Sequence, residues 1–177
     1  ECVELIKALW TESKTDFNGA IFQLHGATMT LKPAQRPHPP IWFGGDHPNA
    51  LRRAATIADG WMGSGSSGVA AFGRNVSQLK VELEKAGRDP ATFPISKRVF
   101  LSVHERADVA RAEVHQWFST VYRRPGGADT SALYGTPEGL RARIEEMVAT
   151  GANHLVLNPV CRHAEQLAAL AEVVGLR

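Results

Sequence analysis

Sulfur is scarce in this chain: 177 residues hold two cysteines, Cys2 and Cys161. They stand far apart and have no close Cys or His neighbours at metal-ligand spacing, so both are expected as free thiols in a reducing, cytoplasmic setting. Long apolar runs are missing too. Nothing approaches the ~20 residues that span a bilayer, and no charged-then-apolar leader is read at the start, so no membrane partner is expected. Nor does charge of one sign dominate. Twenty basic and 18 acidic residues are interspersed to a net +2, without the basic stripe of a nucleic-acid binder. His25, His104, His115, His154 and His163 lack an i, i+4 or Cys partner, and there is no Gly-x-Ser-x-Gly elbow. Metal ligation and serine nucleophile chemistry are therefore without support.

What is present is the composition of an ordinary globular protein, 44% hydrophobic and 21% charged, long enough for a single domain over 1–177. The order of elements is read from periodicity. Val3, Ile6, Leu9 and Trp10 share one face of an opening helix that is already under way at the first residue, which points to a piece of a longer protein. A hairpin turned at Asn18-Gly19 follows. Four prolines between Leu31 and Pro40 then exclude helix. From there, strand and helix alternate four times. The strands are Ile41–Phe43, Gly60–Met62, Arg98–Val103 and His154–Asn158. The helices run over about Asn49–Ile57, Ala70–Ala86, Asp108–Tyr122 and Ala164–Val174, with one more opening at Thr136-Pro137-Glu138. Such an order demands parallel strands and right-handed crossovers.

The most informative stretch runs from Pro39-Pro40-Ile41-Trp42-Phe43-Gly44-Gly45-Asp46-His47-Pro48-Asn49 to Ala58-Asp59-Gly60-Trp61-Met62. It reads as a strand, a glycine turn, a helix start and a second strand. Gly44 and Gly45 let the backbone fold sharply and let a ligand come close, and the N–H groups that open the helix suit an anion. These features suggest a phosphate seat. Asp46 either caps the helix or faces the ligand, and His47 either donates to a phosphate or lies in solvent. Asn49 opens the helix. Gly60 permits close approach, while Trp61 is either a core aromatic or packs beside the ligand. Only one of Trp42 and Phe43 can face a barrel interior. The loop Gly63–Gly68 offers serine hydroxyls and backbone N–H groups to an oxyanion, or is simply a linker.

This wording closely resembles the luciferase-like flavin monooxygenases and the coenzyme F420-dependent oxidoreductases related to them. The likeness continues upstream through Ala8-Leu9-Trp10-Thr11-Glu12 and Asp16-Phe17-Asn18-Gly19. Downstream it continues through Gly135-Thr136-Pro137-Glu138 and Gly151-Ala152-Asn153-His154-Leu155-Val156-Leu157. The resemblance implies the α/β fold of the C-terminal half of a (β/α)8 TIM barrel, with about four parallel strands each followed by a helix. It implies a flavin- or deazaflavin-dependent oxidoreductase that takes FMN or coenzyme F420 and a small-molecule substrate. The cofactor phosphate would sit at Gly44, Gly45, Asp46, His47 and Asn49, with Gly60 and Trp61 beside it. No general acid or base can be assigned, and the residues nearest the flavin ring would lie in the first half of the barrel. A half-barrel exposes Ile41, Phe43, Val99, Leu101 and Val156 on its inner face together with open strand edges. The fragment is therefore expected to be inactive alone and to form homo-oligomers. A cofactor-free assembly unit is the alternative function.

Overall fold

A computed structural model describes residues 1–175. Its contacts divide the chain into two compact units, Glu1–Ile41 and Trp42–Arg177. In the first, helix α1 (Cys2–Thr11) precedes an antiparallel hairpin of β1 (Thr15–Asn18) and β2 (Gln23–Ala27). The Glu1 carboxylate ties that hairpin down by accepting the N–H groups of Ala20, Ile21 and Phe22 at 3.0, 2.9 and 2.6 Å.

The second unit is a parallel sheet with helices between its strands. Its elements are β3 (Trp42–Gly44), α2 (Pro48–Ile57), β4 (Gly60–Gly63), α3 (Val69–Lys85), β5 (Ile95–Val103), α4 (Ala107–Trp117), α5 (Gly127–Ser131), β6 (Ala132–Gly135), α6 (Pro137–Ala149), β7 (His154–Pro159) and α7 (His163–Val173). Strand β5 is the spine. Its first residues pair with β4, its last with β6, and its middle with β7, all in parallel.

Helix positions follow the expected apolar stripes closely. Leu51, Ala54 and Ala55 of α2, Phe72, Val76, Leu79 and Leu83 of α3, and Leu140, Ile144 and Met147 of α6 are all buried in one core against the sheet. Val148, next to Met147 and four residues on from Ile144, is half exposed.

Three readings need correction. The sheet has a fifth short strand, β6, where only a loop and a helix start are read from sequence. The helix expected to Tyr122 stops at Trp117 and passes into a single π turn, Phe118–Tyr122, which ends at left-handed Arg123. The third concerns the faces of the sheet. Phe43, Val99 and Leu101 pack into the helix-side core and not onto the inner face. Successive strand residues point to opposite faces, so the inner face carries Trp42, Arg98 and Val156. Large apolar side chains occur on both faces of these strands, Phe43 beside Trp42 and Phe100 beside Val99, which hides that parity from a sequence reading.

Candidate functional site

The glycine turn joins β3 to α2 at the C-terminal end of a parallel strand, the end of a (β/α)8 barrel that carries ligands. The two glycines are not equivalent. Gly45 has φ +105°, and a Cβ there would stand 3.1 Å from that of Ala50, whereas one at Gly44 would meet only the Met62 carbonyl at 3.7 Å. Backbone conformation and space thus both call for glycine at 45.

The turn is held from below. Trp61 is wholly buried and stacks on Phe72 with ring centroids 5.6 Å apart and planes 9° from parallel. Its indole Nε1 donates to the Gly45 carbonyl at 3.0 Å. Trp61 is therefore a core residue that fixes the turn through a directed hydrogen bond. Gly60 makes room for the Trp42 indole: a Cβ there would lie 2.7 Å from that ring.

Helix α2 uses up its own first donors. Pro48 has no N–H, the Asn49 N–H is taken by His47 Nδ1 at 3.1 Å, and the Ala50 N–H by the His47 carbonyl at 2.8 Å. The cap is His47 and not Asp46, because the helix begins at Pro48 and His47 is the residue before it. Asp46, His47 and Asn49 are all exposed.

Beside the turn lies an open cavity of about 460 Å³, lined by Gly44, Gly45, Met62, Gly63, Ser64, Gly65 and Arg98 together with Trp42 and Phe43. The expected glycines are thus joined by the serine loop and by a cation that sequence reasoning missed. Arg98 lies with its guanidinium 4.8 Å over the Phe100 ring, and its Nε is buried without a hydrogen-bond partner. A Cβ on Gly65 would meet that Nε at 2.8 Å, so the loop backbone and the guanidinium are in close apposition. Small backbone, a cation and a concave surface make this a place for an anion.

The neighbouring Lys97 is 1% exposed, on the opposite side of β5. Its ammonium donates to the Ser64 carbonyl, to the Ser67 carbonyl at 2.8 Å and to Ser67 Oγ at 3.0 Å. Burial lowers its pKa to about 8; Asp46 acts to raise it and Arg98 to lower it further.

Past the end of β7, left-handed Arg162 (φ 39°) donates to Glu113 through Nε and a terminal nitrogen at 2.8 and 2.9 Å, and to Glu165 at 3.0 Å. Ser102 Oγ donates to the same Glu113 carboxylate at 2.5 Å. Burial, and next the Glu113 carboxylate, push the pKa of the Cys161 thiol up. This cluster locks the α4–α7 corner. Among the described residues no group of three or more His, Cys, Asp or Glu side chains is arranged to hold a metal ion, and no helix is long and apolar enough to cross a membrane.

The parallel sheet, its interleaved helices and a glycine turn at a strand's C-terminal end have the layout of part of a (β/α) barrel. The chain belongs to the luciferase-like monooxygenase family, whose sequence model matches residues 1–154. It is 28% identical over 112 residues to the FMNH(2)-dependent dimethylsulfone monooxygenase of Pseudomonas putida, a match covering 63% of this chain and 30% of that protein. It is also 28% identical over 118 residues to the F420-dependent glucose-6-phosphate dehydrogenase of Kineococcus radiotolerans, covering 66% of this chain and 34% of that one. In fold it is similar to an F420-dependent secondary alcohol dehydrogenase solved with an F420-acetone adduct. The TM-score is 0.82 at 18% identity, over 99% of this chain and 60% of that chain. The matches thus span about a third of the length of these curated relatives.

Proposed function

We propose that the whole protein is a flavin- or deazaflavin-dependent oxidoreductase acting on a small molecule, and that this chain supplies the seat for the cofactor's phosphate. The observation that carries this reading is the cavity beside Gly45, lined by Gly44, Gly45, Ser64 and Gly65, with the Gly65 backbone close to the unpartnered Nε of Arg98. FMN and coenzyme F420 both present a phosphate on a ribityl chain, and the two families of relatives are named for these two cofactors. Once bound, such a cofactor supplies the redox chemistry.

The chain's own residues bind and orient. Gly45 keeps the turn open, Trp61 fixes its carbonyl, and Arg98 provides the charge that draws the phosphate in. The Asp46 carboxylate is turned to use by partly offsetting the charge of buried Lys97. His47 and Asn49 act by building the helix start under the turn. Proton-transfer groups are not assigned to this chain. The unpaired cysteines fit a reducing cytoplasm, and the open inner face of the sheet fits association with further barrel strands or a second copy.

Absorbance of the purified full-length protein tests the proposal at once. A visible flavin or deazaflavin band that is retained through gel filtration, or restored by adding FMN or coenzyme F420, is the expected result. A colourless protein that takes up neither would leave the assembly-unit reading in its place.

A further inference from the structure

We infer that Lys97 is a positioning residue for the phosphate end of this site: from behind the sheet it holds the loop 63–68 in the shape that lines the cavity. The inference rests on the reading that the cavity takes a phosphate.

Strand β5 alternates in direction, so Lys97 points with Val99 and Leu101 into the helix-side core while Arg98 points to the cavity. An apolar residue would fill a core position at lower cost, because a buried ammonium loses its hydration. Among the described residues no carboxylate forms an ion pair with it. All its hydrogen bonds go to the loop, to two carbonyls and one hydroxyl from Ser64 and Ser67, with the Phe72 ring 5.7 Å away. That loop is Gly63-Ser64-Gly65-Ser66-Ser67-Gly68, a composition with little stiffness of its own.

Ser64 and Gly65 line the glycine cavity, and Ser66 lines a smaller pocket formed with Phe100, Phe118 and Tyr122. Lys97 therefore grips from one side the strip of backbone that Arg98 abuts from the other. An ammonium has three protons for its three acceptors; the neutral amine has two, and they are weaker donors. The protonation state of Lys97 thus sets how firmly the loop is held. The charged groups acting on it are Asp46 of the glycine turn and Arg98 of its own strand, and its lowered pKa of about 8 puts the change within reach of ordinary buffers.

The test pairs whichever of FMN and coenzyme F420 binds with its phosphate-free ribityl analogue, titrated into full-length wild type and Lys97→Met between about pH 7 and about pH 9.5, a range that brackets the lysine's transition but lies above phosphate ionisation. The wild type is expected to prefer the phosphorylated form at the lower pH and to lose that preference by roughly tenfold as the pH passes 8. Lys97→Met is expected to show the weak preference throughout, with a flat pH profile and unchanged affinity for the analogue. A variant that keeps the wild-type preference and its profile overturns the role of Lys97 while leaving the phosphate seat intact. Wild type that never distinguishes the two forms overturns the seat, and this proposal with it. Should Lys97→Met fail to fold, the wild-type profile decides: a preference constant across the range contradicts the inference.

Discussion

The indole nitrogen of Trp61 donates to the carbonyl of Gly45 across 3.0 Å, linking the most deeply buried aromatic of the sheet to the most conformationally restricted residue of the site. The carbonyl is thereby held toward the core. Trp61→Phe keeps an aromatic ring against Phe72, removes the donor and leaves part of the indole's volume unfilled in the core, which adds to the cost. A neutral hydrogen bond of this kind contributes about 1 kcal/mol, and the carbonyl left behind adds a desolvation cost of similar size. A Tm lower by several degrees is expected, together with cofactor affinity reduced roughly fivefold. Calorimetry and cofactor titration on the same preparations check both.

The glycines separate by substitution. Gly44→Ala is expected to bind cofactor like the wild type, since its methyl reaches only ordinary contact with the Met62 carbonyl. Gly45→Val places a β-branched side chain at φ +105° and against Ala50, where it is strained whatever the neighbours do. It should lose most cofactor affinity. Wild-type affinity in Gly45→Val would remove the turn from the site.

His47 acts in the structure as a helix cap. His47→Ala should cost about 0.5–2 kcal/mol of stability, and His47→Ser, whose hydroxyl can accept the same N–H, should recover most of it. Thermal melts of the three proteins measure this. If His47 instead touched the phosphate, the serine variant would be stable but would bind poorly.

Much of this site was legible before any coordinates, and what was not has identifiable causes. Gly44, Gly45 and the Pro48-Asn49 helix start announce themselves because turn chemistry is local. The stripes of α2 and α3 do so because a helix with one buried face must repeat every three to four residues. Lys97 and Arg98 were not found. The apolar run that marks the strand begins after Arg98, whereas β5 runs from Ile95, and a lysine before such a run looks like a solvent residue. Only the parity of the sheet shows that one of the pair faces the core and the other the cavity. Strand β6 is four residues long and exists by pairing with the end of β5, a long-range contact with no local signature. The π turn at Phe118 lies within a stretch whose pattern continues a helix without a break.

Asp129 gives the fold an acid-side signature. It accepts from Tyr134 Oη at 2.7 Å, from His115 Nε2 at 2.9 Å and from Arg111 at 3.3 Å, tying α4, α5 and β6 together. The Tyr134 hydroxyl first, and His115 next, lower its pKa to about 2. A depressed carboxylate stabilises the fold above its unfolded value and loses that contribution as the pH falls through its folded one. Stability should therefore decline between about pH 4 and about pH 2. Asp129→Asn should be less stable at neutral pH and show a shallower fall over that window. Urea melts at stepped pH report both, and parallel curves for the two proteins would remove Asp129 from the acid response.

The central claim is that Arg98 and the glycine turn hold a phosphate, and Arg98→Met tests it most directly. This change keeps an unbranched side chain at the position and removes the guanidinium, with its charge and its stacking over Phe100. Charge-assisted contacts are about twice as strong as neutral ones, so losing one should cost the phosphorylated cofactor at least roughly tenfold in affinity and the phosphate-free analogue almost nothing. That selective loss, measured by titrating both forms into the full-length wild type and variant, is the result expected. Equal losses for both forms, or none for either, would contradict the account.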